Sequence, residues 1–249
     1  MEKITSVKNR IITTLISYKE KKYQFSEKKY LVEGINIIYE AIKNEVVESI
    51  LGTKKYSTKF KSFSNYIEIN DSVSQKISDL KNTQSIFAVC KFNQKEIYKD
   101  SNILMLDGIQ DPGNLGTLIR SAHAFGFKNI ICSEDTVSLY NPKVLRATQG
   151  NHFNMWINYG KLKDIVNQFK AGDYKIITTD IKQKNNKFKL ENYQKNKFIL
   201  ILGNEGNGIA QDLVEMGDEN IFLPMENAVE SLNVGVAGSI IMYKIYNQK

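Results

Sequence analysis

Two cysteines, two histidines, three prolines and one tryptophan are all that this 249-residue chain holds of those types. Each scarcity excludes something. Cys90 and Cys132 lie far apart, each in or beside an apolar run, so they suggest neither a disulfide framework nor a thiolate metal site but two buried, reduced thiols. His123 and His152 have no third ligand at metal spacing, which leaves packing or a hydrogen bond as their reading and no metal as an expected cofactor. Trp156 sits in an apolar strand context and reads as core. No apolar run approaches the ~20 residues that cross a bilayer, and the opening Met1-Glu2-Lys3-Ile4-Thr5-Ser6 has no apolar signal core. The expectation is a cytoplasmic protein with no membrane partner. Internal repeats and low-complexity tracts are also lacking.

What is present is a globular composition, 42% hydrophobic and 24% charged, in a length that supports a core without bridges or metal. The formal charge of +7 fits a polyanionic partner such as nucleic acid. Lys8, Arg10, Lys19, Lys21, Lys22, Lys28 and Lys29 crowd the opening stretch, interleaved with Tyr18, Tyr23 and Phe25. Such a run is either a solvated face or a phosphate-neutralising surface. Under the second reading Lys8, Arg10, Lys21, Lys22 and Lys28 are the candidate nucleic-acid contacts.

Periodicity divides the chain into a small α/β domain over residues 1–91, a linker over 92–101 and a second domain over 102–249. The first carries a helical pattern over 7–27, strands over 30–32, 46–51, 66–69 and 85–90, a helix over 34–44 and another through Leu80 that Asp71 is expected to cap. The second alternates strands (102–106, 129–132, 155–157, 175–179, 198–202, 221–223) with helices, which argues for a parallel sheet with crossovers. Residues 182–196, polar and rich in lysine, read as a long exposed loop. Pro224 stops the last strand by removing a donor. A helix opening near Ser231 then carries Gly235, Ala237, Gly238 and Ser239. Glycine costs roughly 0.8–1 kcal/mol relative to alanine in a helix. That pair requires close approach of a backbone or a flat ligand, or belongs to a tightly packed C-terminal helix with a serine cap; Ser231 and Asn233 stand at the helix mouth, where their side chains can cap free amides or face a ligand.

Ligands of open α/β sheets bind beyond the carboxyl ends of the strands. Three loops fall there: Asp107-Gly108-Ile109-Gln110-Asp111-Pro112-Gly113-Asn114, Gly203-Asn204-Glu205-Gly206-Asn207-Gly208, and the stretch from Pro224 to Asn233. Each alone could be a turn. The second is neither Gly-x-Gly-x-x-Gly nor a Walker loop, and its glutamate would repel phosphate, so an uncharged or cationic ligand is preferred over a dinucleotide or nucleoside triphosphate.

Together, Asn114-Leu115-Gly116-Thr117-Leu118-Ile119-Arg120, Gly203 to Gly208, and Pro224-Met225 ahead of Ser231-Leu232-Asn233-Val234 resemble the three ordered motifs of the SpoU family, RNA ribose 2′-O-methyltransferases of the SPOUT superfamily. Tyr30-Leu31-Val32-Glu33-Gly34 and Thr83 to Val89 resemble its N-terminal substrate-binding domain, and Tyr140 to Thr148 its middle segment. Departures at Ser121, His123 and Thr148-Gln149 bear on substrate choice, not on the reaction. The resemblance implies an α/β protein whose C-terminal parallel-sheet SPOUT domain holds a deep trefoil knot, preceded by a small α/β substrate-binding domain. It implies S-adenosylmethionine as consumed methyl donor with no metal, held around Gly203, Leu223 and Leu232 with Met225 as an apolar wall. It implies a homodimer in which the catalytic helix of one subunit meets the cofactor of the other. Arg120 is the family's proposed catalytic residue, with Asn114, Glu205, Ser231 and Asn233 about it. A guanidinium is a poor base, so binding the substrate phosphate or easing ionisation of the hydroxyl electrostatically stands beside the base role. The expected substrate is 23S ribosomal RNA. The alternatives are transfer RNA, or a non-catalytic RNA-binding or ribosome-assembly protein of the same fold.

Overall fold

Period-two alternation writes two cores into one sheet. Tyr30, Val32, Ile50, Ile86, Ala88 and Cys90 are buried in one cluster, while Leu31, Leu51, Phe87 and Val89, one residue out of phase, are buried in another. The sheet comprises β1 (Glu2–Ile4), β2 (Lys29–Glu33), β3 (Val47–Gly52), β4 (Tyr66–Ile69) and β5 (Ile86–Lys91) in the order β1-β4-β3-β5-β2. β5 pairs antiparallel with β2 and β3, and the other pairings are parallel. Helices α1 (Arg10–Ser17) and α5 (Asp71–Ile77) cover one face through Ile12, Leu15, Val73 and Ile77. Helix α3 (Ile35–Lys43) covers the other through Ile37, Ile38 and Ala41. These coordinates are a computed structural model that describes residues 2–92, 95–99, 101–179, 197–226 and 231–247.

The single helix expected over 7–27 is two. After α1 the chain turns at Tyr18, and α2 (Lys21–Glu27) begins. Gln24, buried on α2, explains the break: its amide donates to the carbonyls of Tyr18 and Tyr140 at 2.9 Å each, satisfying an acceptor that the end of α1 leaves open. The cap of α5 is Asn70 rather than Asp71, its side chain accepting from the Val73 amide at 2.9 Å.

Packing groups one segment across chain order. The first compact unit is 1–94 together with 138–153, and the second is 95–137 with 154–249. The inserted segment, which includes a helix at Pro142–Thr148 (α7 in chain order), belongs to the first because Leu145 and Phe153 are buried among Tyr30, Ile38 and Ile86. Tyr140 also lies 4.7 Å from Tyr30, ring centre to ring centre. Its sequence position, between strands of the other unit, hid this.

His152 lies in this core. Thr148 Oγ1 donates to the Leu145 carbonyl at 2.8 Å, so the 2.9 Å contact between Thr148 Oγ1 and His152 Nδ1 needs a proton on Nδ1, leaving Nε2 to accept from Tyr30 Oη at 3.4 Å. These bonds suit a neutral ring, which burial favours by lowering the pKa to about 3. A histidine whose folded pKa lies below its unfolded one stabilises the fold fully above pH ~6.5 and loses that contribution as pH falls toward the folded value. Urea unfolding of His152→Gln is expected to lack up to about 1.4 kcal/mol per pH unit of acid sensitivity relative to the wild type below pH ~6.5. Equal slopes would show that His152 is protonated in the fold.

The second unit is one sheet in the order β11-β9-β10-β6-β7-β8, every pairing parallel. Its strands are β6 (Ile103–Leu106), β7 (Asn129–Ser133), β8 (Trp156–Gly160), β9 (Lys175–Thr178), β10 (Phe198–Leu202) and β11 (Glu219–Asn220). The adjacent central strands β6 and β10 are buried throughout, which is why both read as unbroken apolar runs. The helices are α6 (Pro112–Ala124), α8 (Leu162–Lys170), α9 (Gln211–Glu215) and α10 (Val234–Tyr246). Cys90 and Cys132 are free and buried, as expected. The last strand is two residues earlier than predicted, because Asn220 Oδ1 accepts from Thr178 Oγ1 at 3.0 Å and the Ile221 amide donates to the Thr178 carbonyl at 2.8 Å. The predicted loop over 182–196 lies outside the described residues.

Candidate active site

Parallel pairing sends the carboxyl ends of β6, β10 and β11 to one edge, so the loops after them open on the same side of the sheet. The loop after β6 is held by hydroxyls from the next crossover. Gly108 N donates to Ser133 Oγ at 2.8 Å and Ile109 N to Thr136 Oγ1 at 3.2 Å. Asp111 caps α6 by accepting from the Asn114 amide at 2.9 Å, with Pro112 in the first turn where its missing donor costs nothing. The helix therefore starts before Leu115, and Asn114 stands in its first turn.

The loop after β10 folds back on itself. Asn204 and Gly208 exchange backbone hydrogen bonds at 2.9 Å each way. The Asn204 side chain accepts from Gly206 N (2.8 Å) and Asn207 N (3.1 Å) and donates to the Gly108 carbonyl at 2.7 Å, tying this loop to the first. Asn204 was not among the predicted site residues, although an asparagine opening a glycine-rich loop is a turn signal. Asp107, at the end of β6, accepts from the Ala210 amide at 2.8 Å. Burial pushes its carboxyl pKa up, the Ala210 bond opposes that, and Asp135 and Asp212 add to it.

Asn114 joins the three motifs. Its Nδ2 donates to Glu205 Oε1 at 2.5 Å, and its Oδ1 accepts from Asn233 Nδ2 at 2.9 Å. Asn233, not Ser231, caps α10, its Oδ1 accepting from Gly235 N at 3.0 Å and Val236 N at 3.2 Å. With both sides of each amide engaged, the orientations of Asn114 and Asn233 are set by the network, and Glu205 keeps a second carboxylate oxygen for a ligand. Helices α6 and α10 lie alongside each other, running in the same direction. Ser239 Oγ donates to the Gly235 carbonyl, so Ser121 donates to Ser239 across the 2.7 Å gap between them. A Cβ on Gly238 would stand 2.6 Å from both Leu118 Cδ2 and Leu202 Cδ1. Close helix packing is thus one use of the small residues.

Arg120 is not part of this network. It lies six residues beyond Asn114, about 9 Å along the helix and roughly 120° around it. It is exposed and makes no hydrogen bond or ion pair among the described residues. Ser231 is likewise exposed. Gly203 is buried where β10 ends, Leu223 and Met225 are half-buried after β11, and Leu232 is exposed just before α10. The donor set is backbone amides, side-chain amides and apolar side chains, with space beside Gly208 and no metal-ligating cluster among the described residues. It suits a flat neutral or cationic ligand. In the other unit, Lys8, Arg10, Lys21, Lys22 and Lys28 are exposed and form no ion pair among the described residues, whereas Lys19 and Lys29 are engaged by Asp79 and Glu48.

Residues 101–243 match the SpoU rRNA Methylase family, and residues 9–88 match the MRM3-like substrate binding domain. The chain is similar to the 23S rRNA (guanosine(2553)-2′-O)-methyltransferase RlmP of Bacillus subtilis (strain 168), with 32% identity covering 98% of this chain and 99% of that one. It is 30% identical to an uncharacterized tRNA/rRNA methyltransferase of Borreliella burgdorferi, over 93% of this chain and 96% of the other. The AdoMet-bound rRNA methyltransferase of Sinorhizobium meliloti shares the fold, with a TM-score of 0.86 at 21% identity over 99% of this chain and 98% of that one.

Proposed function

The chain belongs to the SpoU rRNA methylase family, and from that premise we propose that it methylates a ribose 2′-hydroxyl at one position of 23S ribosomal RNA, in the cytoplasm. The observation that carries the reading is Asn114, hydrogen-bonded at once to Glu205 of the second motif and Asn233 of the third. S-adenosylmethionine, when bound, supplies an electrophilic methyl group. Backbone groups around Gly203, with Leu223, Met225 and Leu232, would hold it, and the acidic Glu205 suits a cationic ligand. Ser231 and Asn233 would position the ribose. Incubating ribosomal RNA with methyl-labelled S-adenosylmethionine tests the reaction: label is expected in an alkali-resistant dinucleotide, the mark of a blocked 2′-hydroxyl. Label on a base, or none, would count against it.

Arg120 would grip a substrate phosphate and favour ionisation of the hydroxyl, and it would do so beside the Asn114 network of a second copy. Two features support that arrangement. Arg120 is exposed and makes no hydrogen bond or ion pair among the described residues, and the neighbouring α10 exposes Val236, Ile240, Tyr243 and Tyr246 along one side. An apolar stripe of this kind on a terminal helix marks an association surface, and a homodimer covers it in both chains at once. Ile240→Asp is therefore expected to convert a dimer to a monomer in sedimentation, with loss of activity. A dimer that survives the substitution would remove α10 from the interface.

The trefoil knot belongs to this proposal too, resting on membership of the family alone. So does the assignment of residues 1–91 as the RNA substrate-binding domain and 102–249, joined by the linker 92–101, as the methyltransferase domain, with 138–153 grouped by packing with the former.

A further inference from the structure

We propose that the outer face of α2 is a stacking surface for unpaired RNA bases, an inference that rests on the RNA-binding reading above. The helix is rotationally fixed by Gln24, whose two hydrogen bonds to the Tyr18 and Tyr140 carbonyls turn that residue inward. At 100° per residue, Lys22 and Ser26 then face outward, with Phe25 on one flank and Tyr23 on the other. Both aromatic residues are exposed, Tyr23 at 40% and Phe25 at 50%. Each carries its own cation: Lys21 Nζ lies 6.0 Å from the centre of the Phe25 ring and Lys22 Nζ 5.7 Å from that of Tyr23.

Phe25 is not a loose surface side chain. Phe92 meets it edge to face at 5.4 Å and 89°, and Tyr140 at 6.2 Å and 78°. Ordering the ring is thus accomplished by folding, and half of its surface is left to solvent. A preorganised aromatic plane costs a ligand little conformational entropy. Every base has a π-face to lay on such a ring, while lysines beside it neutralise the backbone between successive bases. A protein partner is disfavoured by the charge: Lys21 and Lys22 lie over the rings with no ion pair among the described residues, which fits a polyanion. Double-stranded RNA, with its bases stacked on each other, has no free face to offer. The occupant is a single-stranded loop, bulge or splayed end.

Stacking and phosphate contacts differ in salt dependence, because only the second releases counterions. Binding of the full-length protein to a mixed-sequence unpaired RNA oligonucleotide, and to the same strand in a duplex, is measured against salt by fluorescence anisotropy. Phe25→Leu, which keeps apolar contact with Phe92 and Tyr140, is expected to weaken binding to the unpaired strand by about tenfold, leaving the salt slope and the duplex affinity unchanged. Tyr23→Leu, a ring whose only ring contact is with Lys22 among the described residues, repeats the test should Phe25→Leu fold poorly. Lys22→Ala is expected to lower the slope by about 0.7. Unchanged affinity of both aromatic variants, or equal loss on the duplex, overturns the stacking surface. If Lys22→Ala still lowers the slope, RNA binding by this helix stands without it. If no variant changes anything, both fall.

Discussion

Gly203→Ala is expected to abolish S-adenosylmethionine binding. An added Cβ would stand 2.2 Å from the Gly208 carbonyl carbon, 2.3 Å from Ile209 N and 2.4 Å from Gly208 O. All three are backbone atoms, and the Asn204–Gly208 hydrogen bonds fix them in place, so no rotamer change makes room. Overpacking against side chains costs about 1–3 kcal/mol. Here the loop itself must open. Opening it also breaks the Asn204 bond to Gly108 and moves Glu205 away from Asn114. Calorimetry should show the cofactor affinity falling by at least about a hundredfold, roughly 2.7 kcal/mol. Gly206→Ala is the control, since its Cβ would meet only Asn204 Oδ1 at 3.5 Å, an ordinary contact. Its affinity should change little. Wild-type binding by Gly203→Ala would place the cofactor elsewhere.

Arg120→Ala is expected to lower turnover by about 10²–10³-fold, the loss on removing one preorganised electrostatic donor. The side chain is exposed and makes no hydrogen bond or ion pair among the described residues, so the substitution should leave stability within about 0.5 kcal/mol. Cofactor affinity should also hold, because the loops that would bind it do not involve Arg120. A large kinetic effect from a residue that makes no hydrogen bond or ion pair among the described residues is what the proposed transition-state role requires. Arg120→Lys should rescue poorly, since an ammonium lacks the planar fork that grips a phosphate at two points. Near-normal turnover of Arg120→Ala would exclude the residue from the chemistry.

How much of this was legible beforehand differs by level. The parallel sheet was readable because Ile103–Leu106 and Phe198–Leu202 are buried on both faces and so are apolar without alternation. The three motif loops were readable because glycine, asparagine and proline punctuate strand ends. Burial of Cys90 and Cys132 followed from their apolar neighbours. The allegiance of 138–153 was not readable, since a helical stripe such as Val144 and Leu145 records that a face is buried but not against what. The α1–α2 break escaped notice because Gln24 looks like a surface residue until its two carbonyl partners are known. The cap of α5 moved by one residue, from Asp71 to Asn70, and of the two candidates at the mouth of α10 it is Asn233 rather than Ser231 that caps, because neighbouring polar residues compete for the same amides. The Asn114–Glu205–Asn233 network spans 119 residues of sequence. Its members were singled out by the motifs, while their hydrogen bonding is a property of the fold alone.

The proposed function requires this site to place one methyl group on one ribose of ribosomal RNA. The most direct test is a nucleotide-resolution map of 2′-O-methylation in 23S ribosomal RNA from cells that carry the gene, cells that lack it, and cells in which only Arg120→Ala is restored. A single ribose is expected to be methylated in the first and unmethylated in the other two, with every other position unchanged. Identical maps from the first two strains would contradict it.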